Sequence, residues 1–431
     1  MKPFNKAKWG RFALLVMGGG TIYKLANIKD VFYIPMQEHF GLTNTEIGAL
    51  LSINSIVATA LFVVGGYLAD RLQTRTVISL GLVGAGVLGL YLSTFPSYNQ
   101  LFILFAMLAV CSDCFFWPAL LKSVRQLGDS QEQGRMFGFL EGGRGVVDTL
   151  VAFSALGLFV ALGSGAGGFR AAIILYAVID MAIGILLFFL LRNPAPQPNA
   201  QAAQVSKGPE QAPANKPQVL EALRMIAKMP QLWMVSFTVF MVYIVYVGLT
   251  YFIPYLSEVY GLPVALVGVF GIINQYGLKI AGGPLGGYLA DKKVKSSSRY
   301  LSLAFFALIP LMAVIYFLPQ TEDFRVPAMA MCLLFSLVVF TMRGVFWAPM
   351  DEVGIPEEIS GTAFGVACLI GYAPGMFAFL IYGAILDANP GAAGFHLVFL
   401  IMAVLAVVGG LVATGLARMA KRNKELTAVS V

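Results

Sequence analysis

The sequence predicts an all-α integral membrane protein: twelve transmembrane helices in two pseudo-symmetric bundles of six. Three observations predict it. Of 431 residues 58% are hydrophobic and 12% charged, about half the charged fraction of a soluble domain. Apolar stretches recur along almost the whole chain at the length of about 20 residues that a helix needs to cross a hydrocarbon core of roughly 30 Å. The string GGYLAD occurs twice, at Gly65 to Asp70 and at Gly286 to Asp291. Basic residues follow each copy: Arg71 and Arg75, then Lys292, Lys293 and Lys295.

In chain order the spans fall near 12–36, 46–68, 77–95, 101–122, 135–162, 169–191, 231–257, 263–289, 299–318, 326–348, 360–386 and 394–417. Span 1 follows Lys2, Lys6, Lys8 and Arg11 but is long, contains Lys24 and lacks a small-residue cleavage site, so it is expected to be retained. GGYLAD closes helix 2 and helix 8. Phe116-Trp117-Pro118 in helix 4 is echoed by Phe346-Trp347-Ala348-Pro349 in helix 10, and Gly134-x-x-Phe137-Gly138 in helix 5 by Gly361-x-x-Phe364-Gly365 in helix 11. The offsets, 221, 230 and 227, differ only by loop lengths. Six-helix halves inserted in the same direction are parallel repeats, which rock around a central site.

Between the halves, Asn193 to Gln218 is rich in Pro, Ala and Gln and reads as a flexible linker. After it, LEALRMIAKM sets Glu221, Arg224 and Lys228 against Leu220, Leu223 and Ala227, the pattern of a short helix lying on the membrane surface. The expected organisation is therefore an N-terminal bundle at 1–192, a linker with a surface helix at 193–230, a C-terminal bundle at 231–417 and a tail at 418–431. Lys and Arg collect in alternate loops (Arg71/Arg75, Lys122/Arg125/Arg135, Arg192 through Lys228, Lys292 to Arg299) and in the tail. The positive-inside rule makes these loops and both termini cytoplasmic, in a plasma or bacterial inner membrane. The net charge of +7 is thereby explained by topology, with no nucleic acid partner.

Several motifs carry no chemistry. Cys111, Cys114, Cys332 and Cys368 all lie in apolar stretches, so neither a disulfide framework nor a metal site is expected, and Cys111-x-x-Cys114 has no second ligand pair. Gly163-x-Gly165-x-x-Gly168 follows no strand. His39 and His396 fall near outer helix ends, and no Walker motif is present. No enzyme activity and no cofactor is expected.

Buried charge is where substrate chemistry should lie, because each ionisable group near a helix centre costs roughly 2.5–3.5 kcal/mol on insertion scales. Eight such groups occur: Lys24, Asp113, Glu141, Arg144, Asp148, Asp180, Lys279 and Arg343, four of each sign. Glu141, Arg144 and Asp148 stand at i, i+3 and i+7, so both acids are in reach of the guanidinium. Lys24 has no acid at i±3 or i±4; its neighbours are Tyr23, Gly20 and Asn27. It is the first candidate for holding an anion, unless an acid of helix 4 or 5 takes it, and Lys279 ranks second. Counted from Trp117 and Trp347, Asp113 and Arg343 are equivalent positions of opposite charge. Tyr243, Tyr246 and Thr250 share a face of helix 7 and offer hydrogen bonds to a polar solute.

Gly66-Tyr67-Leu68-Ala69-Asp70-Arg71, followed by Arg75, resembles the signature G-x-L-a-D-r-x-g-r-[kr] of the major facilitator superfamily of secondary transporters, and Gly287 to Asp291 resembles its second copy. The resemblance spans the whole chain; Gln73-Thr74 stands where the family has a glycine-containing turn. Helix 4's aromatic-Trp-Pro and the Gly-Arg-Met-Phe-Gly start of helix 5 loosely resemble the sugar-phosphate and nitrate/nitrite porter branches. The glycine-proline motif of drug antiporters is not seen in Glu141 to Leu150. The resemblance implies that Asp70, with Arg71, Arg75 and Asp291, forms a cytoplasmic latch against a helix N-terminus. It implies also that helices 1, 4, 7 and 10 line a cavity closed on the cytoplasmic side by 4, 5, 10 and 11.

The expected function is alternating-access transport of a small polar, anionic organic solute, by proton coupling or exchange, in a functional monomer. Tyr23, Lys24, Asn27, Trp117, Tyr246, Lys279, Arg343 and Trp347 are the expected substrate site. Asp113, Glu141, Arg144 and Asp148 are expected in proton coupling or gating, Asp113 bridging to Arg343 when the cavity faces outward. The alternatives are an exporter of drugs or amphipathic lipids and a sensor that binds without flux.

Overall fold

The computed structural model describes residues 6–127, 133–191, 224–225, 227–355 and 360–429. Every regular element among them is helical. The linker at 193–218 lies outside the described residues, as does most of the expected surface helix.

Twelve helices form, as expected. In the first half, α1 is Lys6–Thr21 plus Lys29–Phe40, α2 Asn44–Arg71, α3 Thr74–Leu92, α4 Tyr98–Ala109 continued by Trp117–Leu127, α5 Gln133–Ala161 and α6 Ala166–Leu190. In the second, α7 is Pro230–Gly248 continued by Phe252–Glu258, and α8 is Val264–Ile272 continued by Leu278–Tyr288. Then follow α9 Ser297–Phe317, α10 Arg325–Val345, α11 Ser360–Gly371 plus Pro374–Ala388, and α12 Ala392–Val429. Ten helices, α3 to α12, are each apolar and long enough to span a membrane among the described residues. Side chains such as Phe189 and Phe317, 73% and 79% exposed, have only lipid to cover them.

Three departures from regularity matter. Span 1 is not continuous: turns occupy residues 22–28, after the run Gly18-Gly19-Gly20 that weakens a helix. A widened π-helical turn interrupts α4 at Val110–Phe116, and another interrupts α8 at Ile273–Gly277. Such turns shift the register of everything beyond them. Within the tail expected at 418–431, the chain continues α12 as helix to Val429.

The repeated GGYLAD has a packing reason at two of its four glycines. A Cβ on Gly65 would sit 2.5 Å from the Cys114 carbonyl oxygen of α4, and one on Gly286 would strike that of Thr341 in α10, so only glycine lets these backbones approach. Gly66 and Gly287 face open space.

The halves touch α2 to α11 and, by the same symmetry, α5 to α8. Gly48 packs on the Phe379 backbone, Gly383 on Asn44, Gly271 on the Asp30 carbonyl, and Gly268 on Leu156. Asp387 of α11 accepts hydrogen bonds from the Asn44 and Thr45 backbone amides at 3.0 and 2.7 Å and from both their side chains. This clasp lies at the end opposite the GGYLAD loops. At the GGYLAD end, no hydrogen bond or ion pair between described residues joins the halves.

Candidate functional site

The irregular turns converge. The α1 break carries Tyr23, Lys24 and Asn27, the α4 π-turn carries Asp113, and the α8 π-turn carries Tyr276, three residues before Lys279. Irregular backbone at membrane depth is tolerated where it is buried in protein or lines a cavity, and in transporters it marks the site.

Lys24 is not the free ammonium expected. Its Nζ lies 3.0 Å from Asp148 Oδ1 of α5 and 3.3 Å from the centre of the Tyr276 ring. The alternative of an acid on helix 5 is the one realised. Because Asp148 turns to Lys24, Arg144 has only Glu141 of its two helical neighbours, at 2.8 Å, and completes its bonding on the Gly19 carbonyl, also at 2.8 Å. The guanidinium stands 4.5 Å from the Trp117 ring centre, a cation–π contact. Asn27 is spent on its own helix, its amide donating to the Tyr23 carbonyl.

Asp113 and Arg343 do not meet. The Asp113 carboxylate accepts from the Tyr23 hydroxyl at 3.1 Å and from Ser112 at 2.6 Å, all within the first half. Arg343 lies 3.8 Å from the Tyr246 ring centre and 5.7 Å from that of Tyr243, and its Nε has no hydrogen-bond partner among the described residues. Trp347 donates its indole N–H to the Tyr372 hydroxyl at 3.2 Å, and Tyr372 stacks edge-on with Tyr243 at 5.0 Å. Tyr372 joins this wall unforeseen by the sequence reading.

Lys279 completes the picture. It is half-buried, and among the described residues no carboxylate lies within ion-pair distance of it or of Arg343. Arg144, Asp148, Glu141 and Arg343 are the charges whose fields reach it. Among the described residues Lys279 and Arg343 are thus two cations without counter-charges, and Lys279 lies within the field of Arg144, which Glu141 already pairs.

Sequence reasoning passed over Lys29 and Asp30, adjacent and both buried. They pair with each other at 2.5 Å, and Lys29 donates to Thr250 of α7 at 3.1 Å. Asp30 accepts from Tyr276 of α8 at 3.2 Å, so both cross between the halves. A charged dipeptide inside an apolar span was the available signal. Of the residues of the expected latch, the Asp70 side chain lies outside the described ones, Arg71 rests on Tyr67 and Arg75 bonds Gln73, each within its own half, and Asp291 is exposed. Lys122 instead caps α2 through the Ala69 carbonyl at 2.6 Å.

With this geometry established, comparison with known proteins becomes informative. The family model described as Major Facilitator Superfamily matches residues 28–379. The chain belongs to the major facilitator superfamily. Over 425 residues it is 46% identical to "Inner membrane protein YihN" of Escherichia coli (strain K12), covering 98% of this chain and 99% of that protein. It is also 22% identical over 407 residues to "Glycerol-3-phosphate transporter" of Bacillus subtilis (strain 168), covering 90% of this chain and 88% of the other. Among solved structures, a bacterial homolog of the human lysosomal transporter Spinster superposes with a TM-score of 0.76 at 14% identity, over 98% of this chain and 99% of that one. The fold is that of a major facilitator superfamily transporter in a multi-pass membrane protein.

Proposed function

We propose that the chain is a secondary active transporter that moves a small anionic organic solute by alternating access, driven by protons or a counter-substrate. The observation that carries this reading is the pair of cations, Lys279 and Arg343, that have no acid partner among the described residues. An ammonium and a guanidinium left uncompensated at membrane depth are costly unless a ligand anion neutralises them. The aromatic wall of Tyr243, Tyr246, Trp347 and Tyr372 supplies hydroxyl donors and ring faces for the organic part. Lys24 holds Asp148 in this reading, and Arg144 with Trp117 closes the first-half side. The similarity to a protein named for transport of glycerol-3-phosphate, an organic anion, supports the same substrate class.

In this reading the chain works as a monomer of two bundles, 1–192 and 231–417, in an inner membrane, with termini and GGYLAD loops cytoplasmic. The closed Asp387 clasp then makes this the inward-open state. Counterflow in proteoliposomes tests the proposal: organic phosphates and carboxylates should exchange while their uncharged parents do not. Export of uncharged amphiphiles is the second reading, favoured by the apolar cleft between α1 and α5 lined by Trp9, Phe12, Val16, Phe139 and Val146. Flux of a neutral amphiphile with none of any anion would establish that alternative.

A further inference from the structure

Of the buried cations among the described residues, Arg144 is paired with Glu141 at 2.8 Å. Lys24 and Lys29 are matched to Asp148 and Asp30, which leaves Asp180 of α6. Asp180 is wholly buried, and neither carboxylate oxygen has a hydrogen-bond partner among the described residues. The groups facing it are few. They are Thr21 and Lys24 on α1 and Cys111 on α4; on α6 itself Tyr176 lies one turn away, and α3 packs against α6 through a buried face of Val77, Ile78, Ser79, Leu82, Ala85 and glycines with no titratable group. On α5, Asp148 pairs with Lys24, and Asp30 also acts on that ammonium. Among the described residues the one cation whose field reaches Asp180, Lys24, is thus already paired with Asp148.

An isolated ionised carboxylate in a dry interior is costly enough that the group takes a proton instead. The Lys24–Asp148 contact carries a second clue: at 3.0 Å it is close enough to attract, yet Lys24 Nζ is out of line for a hydrogen bond. That ammonium pairs with Asp148 and also lies within the field of Asp180. We propose that Lys24, Asp148 and Asp180 form a proton-binding site in which one ammonium and one exchangeable proton are shared by two carboxylates, the proton residing on Asp180 in this state. When Lys24 turns from Asp148 to Asp180, the Asp180 proton leaves and Asp148 takes one, so the net charge of the group is unchanged. Asp148 stands within the field of Lys279, which connects the proton site to the cavity. This last link, and only this link, rests on the transporter reading.

The test is infrared spectroscopy of the purified full-length chain in lipid, following the C=O stretch of protonated carboxyl groups with pH. Asp180→Asn should remove one protonated-carboxyl band present in the wild type. Asp148→Asn should remove the same band, because Lys24 freed from Asp148 pairs with Asp180 and expels its proton. Lys24→Met should do the opposite and add a band, since Asp148 loses its cation. A wild-type band that survives both asparagine variants overturns the proposal: Asp180 is then ionised. If Asp180→Asn does not fold, the Asp148→Asn and Lys24→Met spectra decide alone. None of these readouts needs a substrate. A protein that loses the band as expected but fails to exchange any anion keeps the proton site and discards the transport reading.

Discussion

At the scale of single residues, the deciding question is which buried cations already have acids. Lys24 and Lys279 look alike in the sequence, each an unpaired lysine in an apolar span, yet one is bound at 3.0 Å to Asp148 and the other has no carboxylate within ion-pair distance among the described residues. Lys24→Met therefore strands a buried carboxylate and is expected to destabilise the protein by about 3–5 kcal/mol, a loss that adding Asp148→Asn should largely restore. Thermal melts of the three variants in detergent measure it; additive losses in the double variant would mean the pair is not coupled. Lys279→Met is expected to leave the melt nearly unchanged and to weaken anion binding, roughly 10- to 100-fold, the worth of a hydrogen bond to a charged group. All the candidate charges were legible in the sequence except Lys29 and Asp30, but their partners were not. Pairing depends on how helices rotate against each other, which the sequence spacing of one helix does not reveal. Asp113 and Arg343 show the same limit. Counting from the tryptophans makes them equivalent, whereas the two glycine contacts match Cys114 with Thr341. Cys114 and Asp113 lie inside the π-turn at Val110–Phe116 and Trp117 just beyond it, so a count taken from the tryptophan does not carry into the turn.

At the scale of elements, ten spans, α3 to α12, were visible because hydropathy and length alone set them, and the first two were placed by the repeat as well. The α1 break and the π-turns were not visible, because their backbone groups are satisfied by tertiary surroundings that the local sequence does not name. Close packing at the repeated string is testable helix by helix. Gly65→Val and Gly286→Val are expected to destabilise by about 1–3 kcal/mol through overpacking. Gly66→Ala and Gly287→Ala, with open space around the added methyl, are expected to be neutral or slightly stabilising, since alanine holds a helix better than glycine. Equal losses at all four positions, read from melts, would contradict the assignment of the first glycine of each pair to the contact.

The whole molecule is two bundles clasped at one end. Asp387 closes that end on Asn44 and Thr45. Asp387→Ala removes those acceptors and is expected to shift the population toward the opposite opening, by roughly tenfold for the loss of hydrogen bonds to a charged group. A cysteine at Ser55, on α2 below the clasp and against Gly375 of α11, should react correspondingly faster with an impermeant thiol reagent added from the clasp side. No change in rate would mean the clasp does not hold the state.

The account rests most on the two uncompensated cations, and charge-sorted thermal stabilisation tests them most directly. The purified chain is warmed with matched pairs of solutes, an organic phosphate or carboxylate and its neutral parent, and the Lys279→Met/Arg343→Met double variant is treated identically. A ligand at 100 times its Kd adds about 2.7 kcal/mol of stability, enough to move the melt by several degrees. The account predicts that anions alone raise the wild-type Tm and that the double variant loses the response. A neutral solute that stabilises both proteins equally, or an anion response that survives in the double variant, would contradict it.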